Sequence, residues 1–200
     1  MPGHFLIGTG AEIKQNRCYW DTDYIVEENS TEEDFLEKIS FTLKDSVRLQ
    51  LRSDVPLGSH LSGGIDSSLV CKLASDQLGN SIPLFHGKFS ESPDYDESKF
   101  ARIVSEATNG ILHEVIPSAQ EFVETLPKLI HAMDEPVAGP GLFPQHAVSK
   151  LAKEHVKVVL GGQGGDELFG GYARYLVGYL EQALKGAIYE TQEEGEHVVS

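Results

Sequence analysis

Hydrophobic positions along this chain follow two spacings. Short apolar runs rich in β-branched residues are typical of buried strands, whereas apolar residues three or four positions apart are typical of amphipathic helices. A capping-box pattern at Ser30 and Glu33 precedes one such helix. After residue 28 the pattern predicts, in order, a helix to residue 51, strand 55–62, helix 66–78, strand 82–89, helix 96–108, strand 111–116, helices 119–133 and 143–154, strand 156–160 and helix 166–184.

This order of elements predicts an α/β fold. Strands separated by helices of this length are joined by right-handed crossovers, which make the sheet parallel. Residues 1–28 mix glycine, proline and polar residues and are predicted to form an irregular lead. The acidic stretch 185–200 is predicted to be a flexible tail. Residues 29–184 are therefore the expected main domain.

A glycine-rich turn follows the first predicted strand of this domain. Leu61-Ser62-Gly63-Gly64 leads into a helix whose first turn carries Asp66 and Ser67. Glycines let the backbone approach an anion, and the N–H groups of the new helix point at the same place. The serine hydroxyls add donors, and Asp66 is placed to hold a metal ion that neutralises phosphates. The turn predicts a phosphate-binding loop, with an ordinary serine-capped turn as the alternative.

A second glycine loop follows the last predicted strand. Six of the eleven residues from Gly161 to Gly171 are glycine, which disfavours regular structure and indicates close approach by a ligand. The carboxyl ends of parallel strands meet at one edge of a sheet, so we expect both loops there. Asp66 and Asp166 would then share one Mg²⁺ ion. The alternative is that Asp166 and Glu167 only complement a helix dipole.

These loops resemble the motifs of a known family. SGGIDSS, which begins at Ser62, resembles the pyrophosphate loop of the ATP pyrophosphatases. GGQGGDELFGGY, which begins at Gly161, resembles the second signature of the glutamine-dependent asparagine synthetase family. The segments 95–98 and 134–136 resemble further landmarks of that family, in the expected order. The resemblance covers residues 50–180 and implies a three-layer α/β/α fold of the PP-loop, adenine nucleotide alpha hydrolase-like (HUP) type.

The resemblance implies an ATP-dependent carbon–nitrogen ligase. Aspartate would attack the α-phosphate of ATP, pyrophosphate would leave, and ammonia from a glutaminase domain would convert the β-aspartyl-adenylate to asparagine and AMP. It implies ATP and Mg²⁺ in the site, aspartate as the second small-molecule substrate, and allows a homodimer. Together with the loop pattern, the resemblance implies three sets of site residues. The catalytic candidates are Asp66, Gln163, Asp166 and Glu167, and the metal ligands are Asp66 and Asp166. The ATP- and pyrophosphate-binding residues are Leu61, Ser62, Gly63, Gly64, Asp66, Ser67, Gly161, Gly162 and Gly164.

Two departures from the family pattern bear on activity. Gln163 stands where the family usually has an acidic residue, and Gly161 stands where it commonly has serine. An amide keeps the hydrogen-bonding shape of an acid but loses its charge. Family domains also continue into a helical segment whose lysine lies over the phosphates, and nothing after Tyr172 supplies it. The resemblance thus implies a fragment, with residues 1–28 as a remnant of the glutaminase junction, that is inactive in isolation.

Two other functions stay open on the sequence alone. A β-lactam synthetase relative, or another carboxylate-activating ligase of the same fold, would require a different acceptor. A non-catalytic nucleotide-binding module is favoured by Gln163 and by the missing lysine segment. Among lesser candidates, His60 and His86 would line an adenine pocket or be buried beside strands, and Arg174 would face a substrate carboxylate or solvent.

Composition narrows the class of protein further. The 200 residues carry a formal net charge of −15, which repels nucleic-acid backbones and anionic membranes. Cys18 and Cys71 are too few for a disulfide scaffold or a zinc site. No apolar run has the length of a membrane span, and Phe5–Ile7 is too short for a signal sequence. We therefore expect a cytoplasmic protein with no nucleic-acid or membrane partner.

Overall fold

The computed structural model describes the chain in two compact units, Met1–Phe41 and Thr42–Ser200. The described residues are 2–23, 25, 29–89, 96–134, 139 and 141–189. In the first unit, β1 (His4–Thr9) and β2 (Glu12–Cys18) form an antiparallel hairpin. Gly10, at a φ of 61°, makes the tight turn between them. The irregular lead predicted for residues 1–28 is therefore wrong for this stretch.

The second unit contains a sheet of four parallel strands in the order β5-β4-β3-β6. Its strands are β3 (Leu57–His60), β4 (Pro83–Gly87), β5 (Ile111–Val115) and β6 (Val158–Leu160). The helices among the described residues are α1 (Glu32–Gln50), α2 (Ile65–Leu78), α3 (Ser98–Thr108), α4 (Ala119–Met133), α5 (Leu142–Ala152), α6 (Gly165–Phe169) and α7 (Ala173–Tyr189).

Two hydrophobic cores lie on opposite faces of this sheet. Leu84 of β4 packs in one core with Cys71 of α2 and Ala101 of α3. The next residue, Phe85, packs in the other core with Val148 of α5. Successive side chains of a strand point to opposite faces, so one strand supplies both cores. The predicted parallel-sheet, three-layer α/β/α fold is confirmed.

The predicted helix 166–184 is interrupted in the structure. The five-residue α6 is followed by Gly170, which adopts a φ of 67°, and α7 begins only at Ala173. Gly171 N then donates a hydrogen bond to the Asp166 carbonyl, 2.9 Å away. The helical spacing of the apolar residues on both sides hides this break, because it reports the face of a helix and not its continuity.

Some predicted features lie outside the described residues. They include Tyr95, the pair Glu135 and Pro136, and residues 190–200 of the predicted tail. Residues 185–189 of that tail are described, and they form the end of α7. Within the described ranges, no helix has the length and apolar character needed to cross a membrane.

Gly58 allows the close contact between β3 and β4. A Cβ atom at this position would lie 2.6 Å from the Pro83 carbonyl oxygen and 2.7 Å from Cε2 of the Phe85 ring. We therefore expect Gly58→Ala to lower the free energy of unfolding by about 1–3 kcal/mol through overpacking. Urea denaturation followed by circular dichroism measures this change.

Gly178 provides the matched control, because it lies inside α7 and a Cβ atom there would have no neighbouring atom within 4 Å. Gly178→Ala should leave stability unchanged or raise it slightly, since alanine favours helix. Equal losses for both variants would contradict the role given to Gly58.

Two histidine rings contact each other beside the second core. The rings of His113 and His155 have centroids 3.9 Å apart, and His113 also stacks on Phe85. Burial, and then the charge of His155, lowers the pKa of His113. Burial also lowers the pKa of His60. The unfolded chain therefore binds more protons than the folded chain near the ordinary histidine pKa of 6.5.

Stability should consequently be highest above this pH and fall as the pH decreases from about 7 towards about 5. Hydrogen bonds from Ser98 and Ser118 lower the pKa values of Asp96 and Glu121. These two carboxyl groups therefore change the stability only at lower pH, near the ordinary carboxyl pKa values. Urea denaturation at a series of pH values measures the slope. His113→Phe, which keeps the ring stack, should reduce it, and an unchanged slope would exclude His113 as a source.

Candidate functional site

The sheet order places both glycine loops at the point where the chain reverses direction. From β3 the chain proceeds to β4 and β5 on one side, and it then returns to β6 on the other side of β3. The loops that leave β3 and β6 therefore start from neighbouring parallel strands. In open parallel sheets, ligands bind at this switch point, outside the carboxyl ends of the strands.

The first loop is held by hydroxyl groups. Ser62 Oγ lies 2.9 Å from Ser67 Oγ, and Gly64 N donates to Ser62 Oγ at 3.1 Å. Ser68 Oγ donates to the Gly64 carbonyl at 2.6 Å. No side chain caps α2 at Gly64, and uncapped N–H groups at the start of a helix can bind an anion.

Buried groups fix the first loop to β4 and α3. Leu61 N donates to the Phe85 carbonyl at 2.9 Å, and the Leu61 side chain is buried in the first core. His86 is buried with Nδ1 2.8 Å from the Leu61 carbonyl and Nε2 3.1 Å from Ser98 Oγ. His86 is therefore a structural residue, and Leu61, a predicted ATP-binding residue, has both backbone groups engaged.

Gly63 lets this loop lie against α3. It adopts a φ of 100°, and a Cβ atom there would lie 2.9 Å from the Glu97 carbonyl oxygen. Asp96 accepts a hydrogen bond from Ser98 N at 3.0 Å, so its carboxylate holds the first residue of α3. His60, at the end of β3, has a buried Nε2 with no hydrogen-bond partner among the described residues.

The second loop lies directly against the first turn of α2. A Cβ atom at Gly162 would lie 2.7 Å from Ser67 N and 2.9 Å from Asp66 Cβ. A Cβ atom at Gly165 would overlap the carboxylate of Asp66, with Oδ1 only 2.9 Å away. Gly162 faces backbone atoms and has no room for a side chain, whereas a side chain at Gly165 would displace the Asp66 carboxylate. The structure thus brings the two predicted loops together at Asp66.

Asp166 follows Gly165 and lies beside this contact. Its carboxylate occupies the space that a side chain at Gly171 would need. One or two carboxylates, completed by phosphate oxygens and water, are what Mg²⁺ takes at nucleotide sites, so Asp66 and Asp166 fit this ion. Across the described ranges, no group of three or more His, Cys, Asp or Glu residues could hold a metal ion. A metal here would therefore depend on oxygen atoms of the ligand.

Gln163 is held over the start of the second loop. Its Nε2 donates to Gln145 Oε1 of α5 at 3.3 Å. Its side-chain amide also fills the space that a side chain at Gly161 would need. The two departures from the family pattern are therefore in contact, and a side chain at position 161 would displace the amide of Gln163. Gln145 could not be predicted as a site residue, because it is one of several polar residues on its helix and carries no local signal in the sequence.

Glu167 links the second loop to α7. Tyr172 Oη donates to Glu167 Oε1 at 2.7 Å. This hydrogen bond is the main cause that lowers the pKa of Glu167, and it raises the pKa of Tyr172. The arrangement makes Glu167 an anchor for the turn between α6 and α7. By contrast, Leu176 and Tyr179 of α7 are mostly exposed within the described structure, although their helical spacing is typical of a buried face.

Comparisons with known proteins agree with the motifs. The sequence model of the Asparagine synthase family matches residues 38–197. A putative glutamine-hydrolyzing asparagine synthetase of Mycobacterium tuberculosis is 40% identical over 147 residues, which cover 74% of this chain and 22% of that protein. Asparagine synthetase 1 of Bacillus subtilis is 41% identical over 146 residues, which cover 72% of this chain and 23% of that protein.

Two other similarities have lower sequence identity. Amidase chyE of Penicillium rubens is 28% identical over 199 residues, covering 91% of this chain and 30% of that protein. A solved structure of an NH3-dependent NAD synthetase from Campylobacter jejuni has a TM-score of 0.45 and 20% identity, over 68% of this chain and 60% of that chain. The chain spans about a quarter of the length of the asparagine synthetases that it matches. Since the family match extends over most of its residues, the chain belongs to the asparagine synthase family.

Proposed function

We propose that this chain is the ATP-binding part of an asparagine synthase that amidates aspartate at the expense of ATP. The observation that carries the proposal is the contact of Asp66 with Gly162 and Gly165, which joins two glycine loops at the switch point of a parallel sheet. Residues 29–184 would form the amino-terminal part of the synthetase domain, and residues 1–28 would correspond to the junction with a glutaminase domain.

The first loop would bind the pyrophosphate portion of ATP. Its N–H groups at the start of α2 and the hydroxyls of Ser62 and Ser67 offer donors without adding positive charge. This suits a chain whose net charge is −15, since the whole-protein field does not attract an anion. Asp66 and Asp166 would hold Mg²⁺, which supplies neutralisation of the phosphate charge when it is bound.

Chemistry would proceed in two steps at this edge of the sheet. A carboxylate oxygen of aspartate forms a bond to the α-phosphorus while the bond from that phosphorus to the bridging oxygen breaks, so pyrophosphate leaves. Ammonia then forms a bond to the acyl carbon, AMP leaves with the electron pair, and the nitrogen loses a proton. The loops contribute by holding the phosphates in line and by stabilising the charge on the leaving group.

Gln163 would position a reacting group in this scheme. Its amide can donate and accept hydrogen bonds, but it does not take up a proton at neutral pH. The hydrogen bond to Gln145 fixes its orientation. We therefore assign it positioning and not general-base catalysis.

A second candidate is an enzyme of the same fold that acts on another carboxylate or amide. It is favoured by the similarity to a protein named amidase chyE, which extends over 91% of this chain. Activity with a carboxylate other than aspartate, in a β-lactam synthetase-like reaction for instance, would support it. A nucleotide-binding module without catalysis would show neither activity.

For the synthase we further propose a cytoplasmic location, where ATP is abundant, and ammonia delivery from a glutaminase domain.

The proposed metal site predicts coupled effects of two substitutions. Asp66→Asn and Asp166→Asn should each weaken the binding of Mg·ATP, measured by titration calorimetry. The double variant should lose less than the sum of the two losses, because both carboxylates act on one ion. Asp76→Asn, on the exposed face of the same helix as Asp66, is the matched control and should bind normally. Full additivity would indicate two separate sites.

The assignment of Gln163 predicts a small effect of restoring an acid. In a family-length protein that contains this sequence, Gln163→Glu should change the rate of aspartate-dependent pyrophosphate release by less than about tenfold. Gain of a general base would instead raise turnover by roughly 10²–10⁴. Gln163→Leu, which cannot hydrogen-bond to Gln145, should lower the rate. Absence of any pyrophosphate release with aspartate would refute the proposed reaction.

A further inference from the structure

Arg174 is a cation beside the second loop that forms no ion pair within the described part of the chain. The ion pairs found there involve Arg48, Lys72, Arg102 and Lys185. The guanidinium carbon of Arg174 instead lies 4.1 Å from the centroid of the Tyr172 ring and 5.3 Å from that of Tyr175. This side chain is held by aromatic faces and not by a carboxylate.

A stacked guanidinium keeps its hydrogen-bond donors free. The N–H groups of arginine lie in the plane of the guanidinium, and stacking uses only the face of that plane. The edge can therefore still bind a carboxylate or phosphate with two parallel hydrogen bonds. Because the two rings already restrict the side chain, less conformational entropy is lost when an anion binds.

The nearest acid does not use these donors. Glu167 is close enough for the charge of Arg174 to contribute to its lowered pKa. One oxygen of Glu167, however, accepts the hydrogen bond from Tyr172, and no atom of Glu167 lies within ion-pair distance of Arg174. The same tyrosine thus holds Glu167 with its hydroxyl and Arg174 with its ring. Tyr172 therefore keeps Glu167 and Arg174 close to each other without an ion pair between them.

The balance of charges beside the second loop explains why a cation without an ion pair among the described residues would be useful there. Asp66, Asp166 and Glu167 bring three carboxylates to the loops, and the proposed ligands are themselves anions. A divalent metal ion compensates only part of that charge. A guanidinium held against Tyr172 and near Glu167 adds a positive charge beside the second loop.

We propose that Arg174 binds an oxyanion of the ligand in this site, with Tyr172 and Tyr175 as the residues that position it. The oxyanion comes either from the phosphates of the nucleotide or from the carboxylate of the second substrate. The assignment rests on the proposed function, since it takes those two compounds as the ligands of the loops.

The test is titration calorimetry on the 200-residue chain with two probes. The first is inorganic pyrophosphate with Mg²⁺, and the second is aspartate in the presence of a non-hydrolysable ATP analogue. Arg174→Gln should weaken one of them by about tenfold or more, as expected for loss of a bidentate charged contact. Arg174→Lys should restore only part of the affinity, because lysine lacks the planar fork. The probe that is weakened identifies the source of the oxyanion.

Controls separate this role from a structural one. Arg48→Gln removes the same charge from α1, where Arg48 pairs with Asp45, and should bind both probes normally. Arg174→Gln should unfold at the same urea concentration as the parent, and its affinity should depend less steeply on salt. Tyr175→Leu should give an intermediate loss.

Two negative results would have different meanings. Binding of both probes that depends on Asp66 but not on Arg174 would overturn this assignment alone. Failure of the unmodified chain to bind Mg·ATP or pyrophosphate would overturn the proposed function and this assignment with it.

Discussion

The candidate site depends on one steric constraint, the lack of space for side chains where the second loop meets Asp66. Gly162 and Gly165 lie so close to the first turn of α2 that any larger residue would collide with it. The loop after β6 can therefore lie against the loop after β3, although about a hundred residues separate them in sequence. That contact brings Gly165, the residue before Asp166, against the carboxylate of Asp66, as the proposed shared site requires.

The sheet and its two cores hold the other side of the site. β4 contributes Leu84 to one core and Phe85 to the other, and its next residue, His86, connects the Leu61 carbonyl to Ser98. This buried hydrogen bond ties the first loop to α3, and Gly63 brings the loop against the same helix. A buried polar group with both nitrogens satisfied stabilises one loop conformation, because any shift would leave a nitrogen unpaired.

The order of elements and the meeting of the two loops could be predicted from sequence because they depend on local signals. Short apolar stretches between helical patterns mark the strands, and glycine clusters mark close approaches. The β1–β2 hairpin was missed because most of its residues are exposed, which leaves no hydrophobic alternation to detect. The Gln145–Gln163 hydrogen bond joins positions 18 apart on different elements, and only the folded chain brings such positions together.

Electrostatics gives a physical reason for an amide at position 163. Asp66 and Asp166 already lie at the junction of the loops, and Glu167 follows immediately. A further carboxylate over Gly161 would raise the repulsion of a polyanionic ligand in a chain that is strongly acidic as a whole. Gln163 keeps a hydrogen-bonding group in that place and receives its orientation from Gln145. In the proposed site, an amide at this position would add no repulsion of an anionic ligand, but it would also supply no proton acceptor.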